Sequence, residues 1–474
     1  MMMGAIDTTI VILALPSIVD SLHGSLSLAI WVIVIYLLIV SVATTQLGRL
    51  GDLFGRSRLF NVGFLVFTVG SALCSFAPSL LFLIFSRAVQ AIGGSLLEAN
   101  SGAIIADTFK RDQRGKAYGF IGMSWNIGAL VGIVLGGLLT TFAGWRFIFY
   151  INLPIGVIGL ILGLIYLKDN NIVRESLDLP GMLLLAAALS LVSYGLVDFT
   201  GSGMTSTNLA LIVIGAVLLP LFLLWEVRSP APIIHISTFK HGVLRSSILA
   251  AFFQSMGYLS VMFLITLYLQ GVRGLSPFTA ALYLLPGYII SGILAPFMGG
   301  LSDKYGARII ATVGIVLMCV TVLAYMTLGT ATPLYFVVIA SLFASVGGPM
   351  FWPSNNSAVM AYASQDRHGS TSGLLRTMVN VGTLGSYVLS ITVASAFVSR
   401  STAFGIFLGT SNIMGGLPSA FLTGLDAALA FSLVILIVAG IFSLTRGKED
   451  RSARAWAANA PMAQAGGEGN KPQG

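Results

Sequence analysis

Three ionisable side chains lie inside long apolar runs of the sequence, where they could carry protons. In the first half of the chain they are Asp7 in the first run, and Arg87 and Glu98 in the fourth, and Arg376 lies near one end of the thirteenth run. If these runs cross a membrane, each charge costs at least about 2.5 kcal/mol, so such residues mark proton or substrate pathways by default. Arg87 and Glu98 fall within about 20° of one face of a helix and can line one pathway. We expect Asp7 and Glu98 to carry an exchangeable proton, with Arg87 favouring their ionised forms, because a nearby cation stabilises a carboxylate.

Two of these residues have a structural alternative. Arg87 is also the kind of side chain that neutralises a buried carboxylate, and this role is compatible with a place in the proton pathway. Asp7 lies about 10 Å from the start of its run if that run is helical. An acid at the membrane surface is therefore the alternative interpretation of Asp7.

Amides and aromatic rings in other apolar runs could bind a small organic molecule. The candidate residues are Asn126, Gln254, Tyr258, Trp352, Asn355, Asn356 and Asn380. The alternative for each is hydrogen bonding between helices, because polar side chains often join membrane helices. The apolar runs between residues 246 and 361 contain no acid in their interiors, which disfavours a strictly cationic substrate.

Composition places these residues in a membrane protein. The chain is 56% hydrophobic and 9% charged, whereas soluble domains carry about 25% charged residues. Its net charge of +8 is spread through short segments rather than gathered in a basic domain, so nucleic-acid binding is not expected. Both cysteines lie in apolar runs, and we expect no metal site and no cofactor. No metalloprotease, nucleophile-elbow or phosphate-loop motif occurs, which argues against an enzyme and against an ATP-driven pump.

Fourteen apolar runs approach the roughly 20 residues that cross a bilayer. They lie near residues 1–20, 29–47, 59–77, 80–106, 117–142, 147–167, 180–198, 208–226, 246–269, 277–298, 309–328, 333–361, 372–398 and 424–444. Most of the 25 Lys and Arg fall on one side if both termini are cytoplasmic, in agreement with the positive-inside rule. Residues 399–423 are predicted to form an external loop.

The chain contains an internal repeat. Residues 48–58 and 300–308 are polar, glycine-rich segments that share one Gly and Asp spacing when the first glycine of the second segment is taken at Gly299. Gly93-Gly94 also recurs as Gly347-Gly348, at an offset of about 250 residues. We predict two six-helix halves, residues 1–167 and 246–445, separated by two inserted spans and a linker (168–245) and followed by a disordered tail (446–474). The predicted gating loops contain Gly48, Asp52, Gly55, Arg56, Asp303, Gly306 and Arg308.

The repeated loops resemble the cytoplasmic signature of the major facilitator superfamily, and further motifs narrow the resemblance. The fifth run carries glycines at Gly128, Gly132, Gly136 and Gly137, which is similar to the antiporter motif of drug exporters. Residues 145–156 resemble the signature that opens the sixth span of the fourteen-span drug:proton antiporters, and residues 7–18 resemble their first-helix motif. Arg87-x-x-Gln90-x-x-Gly93 is similar to their fourth-helix motif, whose arginine is linked to proton transfer. The chain departs from the family pattern at Ala91, where glycine is usual, and at Ile133, where proline is usual.

The resemblance implies an all-α polytopic membrane protein with the major facilitator fold. It implies a secondary transporter in the plasma membrane that exports small amphipathic compounds or drugs in exchange for protons by alternating access. The alternatives are a symporter or uniporter of another small solute, or a non-transporting sensor. The expected partners are a small-molecule substrate, protons and the lipid bilayer, and we expect a monomer. The family's architecture also implies that Asp52 approaches residues 369–371 and that Asp303 approaches residues 114–116. These contacts would latch the two halves together.

Overall fold

The computed structural model is a bundle of long helices. It describes residues 2–23, 25–108, 111–168, 176–234, 239, 241–362, 368–397 and 417–447. At 26–27, 106–107, 111–119, 121–122, 201, 299, 303, 368–370 and 417–420 it describes the backbone alone. The predicted loop at 399–423 and the predicted tail therefore fall mostly outside the described residues, although residues 417–423 are helical rather than part of a loop.

All fourteen predicted spans are helical and are long and apolar enough to cross a membrane. The helices are α1 Met2–Leu22, α2 Leu26–Phe54, α3 Arg56–Ser75, α4 Leu80–Thr108, α5 Arg111–Phe142, α6 Phe147–Tyr150, α7 Asn152–Tyr166, α8 Leu179–Ser202, α9 Ser206–Arg228, α10 Gly242–Tyr258, α11 Val261–Leu267, a π-helical segment Tyr268–Val272, α12 Pro277–Tyr305, α13 Ala307–Tyr325, α14 Tyr335–Tyr362, α15 His368–Ala396 and α16 Leu417–Leu444. The sixth span is formed by α6 and α7, and the ninth by α10, α11 and the π-helical segment. The predicted all-α fold is confirmed.

The helices on either side of the inserted pair pack in equivalent ways. In the N-terminal half (α1–α7), α3 packs along α4 and α1 along α5. In the C-terminal half (α10–α16), α13 packs along α14 and α10 along α15. The two halves meet where α2 contacts α15 and where α5 contacts α12. These two contacts are equivalent, because α12 and α15 occupy in the C-terminal half the places of α2 and α5 in the N-terminal half.

The predicted gating loops are almost entirely helical. Helix α2 continues to Phe54 and α3 begins at Arg56, so Gly55 alone makes the turn, with φ of +104°. Gly306 makes the equivalent turn between α12 and α13, with φ of +93°. Only glycine adopts such backbone angles without strain. The prediction of an eleven-residue loop is wrong because the polar residues continue the last turns of α2, where it extends past the apolar part of the span.

The inserted helices α8 and α9 pack against each other, and α8 also contacts α2 and α15. Asp178 caps α8 by accepting a bond from Gly181 N at 2.9 Å. The same carboxylate accepts bonds from Trp225 Nε1 at 2.9 Å and from Ser229 Oγ at 2.8 Å, which ties α8 to the end of α9. Arg49 of α2 donates to the carbonyl of Ala231, 2.6 Å away. Helix α8 therefore lies against both α2 and α15, and the segment that follows α9 is bonded to the N-terminal half.

The two ends of the bundle differ in the turns that they hold. One end holds the turns at Gly55 and Gly306 and is called the Gly55 end. The opposite end holds a turn at Gly144, with φ of +97°, and is called the Gly144 end.

Candidate functional site

The centre of the N-terminal half holds a buried ion pair between α1 and α4. Asp7 Oδ2 and Arg87 Nη1 lie 2.6 Å apart, and the two side chains are 0% and 2% exposed. A buried charge persists in a protein only when it is paired and hydrogen-bonded. The structure thus places Asp7 in the bundle interior, and it gives Arg87 the buried carboxylate that its sequence position implied.

Neutral polar groups surround this pair. Gln90 Nε2 donates to Asp7 Oδ1 at 2.8 Å and to Ser71 Oγ at 2.8 Å, while Gln90 Oε1 accepts a bond from Arg87 Nη1 at 2.6 Å. Asn152 Nδ2 lies 3.3 Å from Asp7 Oδ1. The direct and indirect partners of this α1 carboxylate come from α3, α4 and α7, so the pair is held by the packing of several helices of this half.

Aromatic rings lie against the guanidinium. Arg87 Cζ is 4.4 Å from the ring centroid of Tyr36 and 6.0 Å from that of Phe149, distances at which an aromatic face attracts a cation. The hydroxyl of Tyr36 points at Gly94, where a Cβ atom would come within 2.5 Å of it. Gly94 therefore makes room for the ring that orients Arg87.

A small cavity of about 10 Å³ lies beside Arg87, and it offers room for about one water molecule. Its lining comes from α1, α2 and α4 of the N-terminal half and from α15 of the C-terminal half. The lining residues are Thr8, Val11, Ile12, Ile33, Tyr36, Leu37, Arg87 and Tyr387. The cavity therefore lies between the two halves.

The two halves touch on both sides of this cavity. Toward the Gly144 end, Gln270 Nε2 donates to the carbonyl of Leu13 at 3.2 Å, and Phe278 N donates to Thr141 Oγ1 at 3.2 Å. Toward the Gly55 end, the hydroxyls of Thr45 and Thr377 are hydrogen-bonded. The cavity is thus enclosed by contacts between α1, α2 and α5 of one half and the helices of the other.

Glu98 is not part of the Asp7 cluster. Its Oε1 atom lies 2.8 Å from Arg376 Nη1 of α15, and the two side chains are 22% and 33% exposed. Asp7 and Glu98 therefore lie on separate ion pairs, one inside the N-terminal half and one across the halves. A role for Glu98 in proton coupling stays a prediction.

The glycines of α5 are points of close helix packing. Cβ atoms at Gly132 and Gly136 would come within 2.8 Å of the Ile6 carbonyl and within 2.9 Å of the Ile10 side chain, both on α1. Gly128 faces Met2 and Ala5 on the same helix, and Gly137 faces the start of α12 in the other half, 2.8 Å from the Pro277 carbonyl. The predicted antiporter motif thus joins α5 to α1 and also reaches the contact between the halves.

The residues predicted to bind substrate are dispersed. Gln254 is buried and donates to Met318 Sδ at 3.3 Å, while Asn356 is exposed. Tyr258, Trp352, Asn126 and Asn380 are partly buried. None of the seven lines the cavity beside Arg87. Their contact with a substrate stays a prediction.

Asn355 binds Arg446, a residue predicted to belong to the disordered tail. Its Oδ1 atom accepts a bond from Arg446 Nη2 at 2.6 Å, and Arg446 is 1% exposed. The first residue of the predicted tail is therefore packed against the C-terminal half, and the rest of the predicted tail stays a prediction. The charge of Arg446 made it resemble a soluble tail, but its side chain extends from the end of α16 to α14.

The turn residues form local contacts. Asp52 pairs with Arg56 across the Gly55 turn. Gly48 is helical and faces Ala99 of α4 at 3.5 Å, and Arg308 begins α13 as its second residue. The side chain of Asp303 and those of the predicted partner segments at 114–116 and 369–370 lie outside the described residues, so both latches stay predictions.

Several buried polar residues escaped the sequence analysis. Among them are Asp178, Glu226 and Ser71, and the half-buried Asp426 has a buried Oδ1 atom. Glu226 accepts a bond from Ile234 N at 2.6 Å, which ties α9 to the linker. Their acidic or hydroxyl side chains close to the ends of apolar runs were the available signal, but without the fold that signal does not distinguish a solvated helix end from a buried junction.

Comparison with known proteins decides the family. The sequence profile of the Major Facilitator Superfamily matches residues 1–386. The chain belongs to the Major Facilitator Superfamily. It is 32% identical over 407 residues to the riboflavin transporter RibZ of Clostridioides difficile (strain 630), covering 85% of this chain and 87% of the relative. It is 30% identical over 402 residues to the multidrug resistance protein Stp of Mycobacterium tuberculosis (strain CDC 1551 / Oshkosh), covering 84% and 74%.

Solved structures agree on the fold. A crystal structure of a POT family transporter in complex with 5-aminolevulinic acid matches with a TM-score of 0.66 at 14% identity, covering 94% of this chain and 96% of that one. Membership of the superfamily makes this protein a multi-pass membrane transporter rather than an enzyme. The fourteen spans and the relatives named for drug resistance agree with the predicted drug:proton antiporter family.

Proposed function

We propose that this transporter exports small amphipathic organic compounds in exchange for protons by alternating access. The observation that carries the proposal is the buried Asp7–Arg87 pair, 2.6 Å apart. In a secondary carrier, an ionisable pair inside the membrane is a functional site by default. The relatives named for multidrug resistance support the substrate class.

The pair can act as a switch because protonation removes one of its two charges. While Asp7 is ionised, the carboxylate holds Arg87 toward α1. Once Asp7 takes up a proton, the guanidinium loses its counter-charge, and an uncompensated buried charge is strongly unfavourable. The protein is then driven toward a conformation in which Arg87 finds water or another acceptor. A proton gradient can bias alternating access in this way because the two protonation states favour different conformations.

Helix α4 can transmit this switch to the contact between the halves. It carries Arg87 in the buried pair and Glu98 in the pair with Arg376. Movement of α4 when Arg87 is released would displace Glu98 from α15. In this proposal Asp7 carries the proton, and the Glu98–Arg376 pair closes the Gly55 end.

The distribution of basic residues orients the chain in the membrane, and the proton gradient then sets the direction of exchange. The positive-inside rule assigns the Gly55 end, with Arg49, Arg56 and Arg58, to the cytoplasm. Both termini would then be cytoplasmic, in a plasma membrane whose proton gradient points inward. Proton entry would drive substrate in the opposite direction, out of the cell.

The proposal is tested with the full chain in proteoliposomes that contain a panel of neutral, anionic and cationic aromatic dyes. An imposed pH gradient should speed transport of at least one dye about fivefold, and Asp7→Asn should abolish that acceleration while Asp7→Glu retains part of it. Asp20→Asn is the matched control, because Asp20 lies on the same helix but is exposed. Dye transport by Asp7→Asn that still responds fully to the gradient would overturn the proposal.

A second candidate is a carrier for riboflavin itself. The observation that favours it is the 32% identity to the riboflavin transporter RibZ across most of both chains. Saturable riboflavin transport that excludes the other dyes of the panel would favour this candidate over broad export.

A further inference from the structure

The guanidinium of Arg87 has one unused donor group beside the cavity. Its Nε donates to the carbonyl of Val32 at 3.2 Å, and Nη1 donates to Asp7 and to Gln90, each at 2.6 Å. No acceptor for Nη2 lies among the residues that the structure describes, although Arg87 lines the cavity. A buried guanidinium normally has its donors bonded, so Nη2 is a vacant donor at the contact between the halves.

The cavity lining is rich in donors and has no carboxylate. Tyr36 and Tyr387 bring phenol rings to this lining, and the Tyr36 hydroxyl is directed at Gly94. Thr8 also lines the cavity, but its hydroxyl already donates to the Gly4 carbonyl at 2.8 Å. The remaining lining side chains are aliphatic. Such a lining suits a single hydrogen-bond acceptor atom carried by an apolar group.

We infer that Arg87 Nη2 binds an uncharged acceptor oxygen, of the carbonyl type, on an aromatic substrate inserted between Tyr36 and Tyr387. The inference rests on the proposed function and specifies its substrate class. A cationic end group is disfavoured, because it would lie beside the charge of Arg87 and no carboxylate lines the cavity to neutralise it. Because the cavity is the size of one water molecule, it accepts only the acceptor atom, and the ring enters when α15 separates from α2.

Ionised Asp7 acts here as a positioning residue. By holding Nη1, it aims Nη2 at the cavity, so protonation of Asp7 releases the guanidinium and weakens substrate binding. Proton and substrate then oppose each other, as exchange requires. The titratable groups that face the pair are Tyr36 on α2, Cys74 on α3 and Tyr387 on α15, with Glu98 further along α4. Tyrosine and cysteine ordinarily ionise above pH 7.5, so these side chains keep their charge state between pH 5.5 and 7.5.

The test compares three compounds that share one tricyclic skeleton. Acridone carries a neutral carbonyl, 9,10-dihydroacridine lacks it, and 10-methylacridinium is a cation. Binding to the purified full chain in detergent, with no gradient, is measured by acridone fluorescence and by competition. Acridone should bind at least about tenfold more tightly than either analogue, since only it offers an acceptor to Arg87, and its affinity should fall as the pH is lowered.

Variants separate this role from a structural one. Arg87→Lys keeps a positive charge for Asp7 but removes Nη2. It should reduce the ratio of the affinity for acridone to that for either analogue to about twofold. Tyr387→Phe should weaken acridone binding alone, and Tyr335→Phe, on an exposed side chain of α14, should change nothing. Asp7→Asn should remove the pH dependence.

Each outcome decides the inference. Undetectable acridone binding, equal affinity for acridone and dihydroacridine, or an unchanged preference in both Arg87→Lys and Tyr387→Phe would overturn it. If that happens in a protein whose dye export still depends on the pH gradient through Asp7, proton-driven export stands and only the substrate class falls. If carbonyl-dependent binding holds while Asp7→Asn still responds to the gradient, the proposed function falls instead.

Discussion

Glu98 of α4 and Arg376 of α15 join the two halves, with Oε1 and Nη1 2.8 Å apart. Both side chains are partly exposed, so the pair contributes about 1 kcal/mol or less. A tie of this strength suits a contact that must break in each transport cycle. The hydroxyl contact between Thr45 and Thr377 lies next to it, on α2 and the same turn of α15.

Breaking this ion pair should open the Gly55 end. A cysteine at Gly373, where a Cβ atom meets nothing within 4 Å, reports on that end in a background with Cys74→Ala and Cys319→Ala. Glu98→Gln should raise the rate at which a water-soluble maleimide labels this cysteine by about two- to fivefold, because the inward-open population increases. The control is the exchanged pair Glu98→Arg with Arg376→Glu, which should restore slow labelling. Equal labelling rates in all three proteins would contradict the role of this pair.

The buried pair should behave differently from the exposed one. Arg87→Gln leaves the Asp7 carboxylate buried without its counter-charge and should lower the free energy of unfolding by about 3–5 kcal/mol. Combining it with Asp7→Asn should recover most of this loss, since no buried charge then remains. Thermal unfolding in detergent measures both variants. A double variant no more stable than Arg87→Gln would show that the loss comes from packing rather than from charge.

The sequence predicts the spans because hydrocarbon imposes a strong, local requirement for length and apolarity. It also predicts that Arg87 is buried, since ionisable residues in spans avoid lipid, but for Asp7 it leaves a place at the membrane surface open. It does not predict their partners. Whether Glu98 faces Asp7 or Arg376 depends on how the helices are arranged, and periodicity along one helix leaves that open. For the same reason Asn355 resembled a ligand-binding amide, although it accepts a bond from Arg446.

The glycines of α5 should tolerate no side chain where α1 lies closest. Gly132→Ala places a methyl group within 2.8 Å of the Ile6 carbonyl and against the Thr9 hydroxyl. Because the obstacle includes backbone, we expect a loss of about 1–3 kcal/mol in the free energy of unfolding, as for an overpacked core. Gly292→Ala is the control, since a Cβ atom there meets nothing within 4 Å. Thermal unfolding should shift for Gly132→Ala alone, and equal shifts would refute the close contact.

The two repeats offer a test of packing at the Gly55 end. A Cβ atom at Gly51 of α2 would collide with the Asn100 amide of α4. The equivalent positions in the second repeat hold Ser302 and Ser354, which are both buried. Each repeat thus combines two residues of compatible size, a glycine with an asparagine or two serines. Gly51→Ser alone should destabilise the protein by about 1–3 kcal/mol, because Asn100 has to move within a packed contact.

The double variant Gly51→Ser with Asn100→Ser copies the second repeat and should recover stability to within about 1 kcal/mol, because the smaller side chain at 100 vacates the space that the new one needs. Thermal unfolding of the two single variants and the double variant completes the cycle. Losses that simply add in the double variant would mean that the two positions do not share one packing site. A coupling free energy between positions 51 and 100 that is comparable to the loss in Gly51→Ser would establish that they share one packing site. The two repeats would then fill equivalent sites with different pairs of side chains.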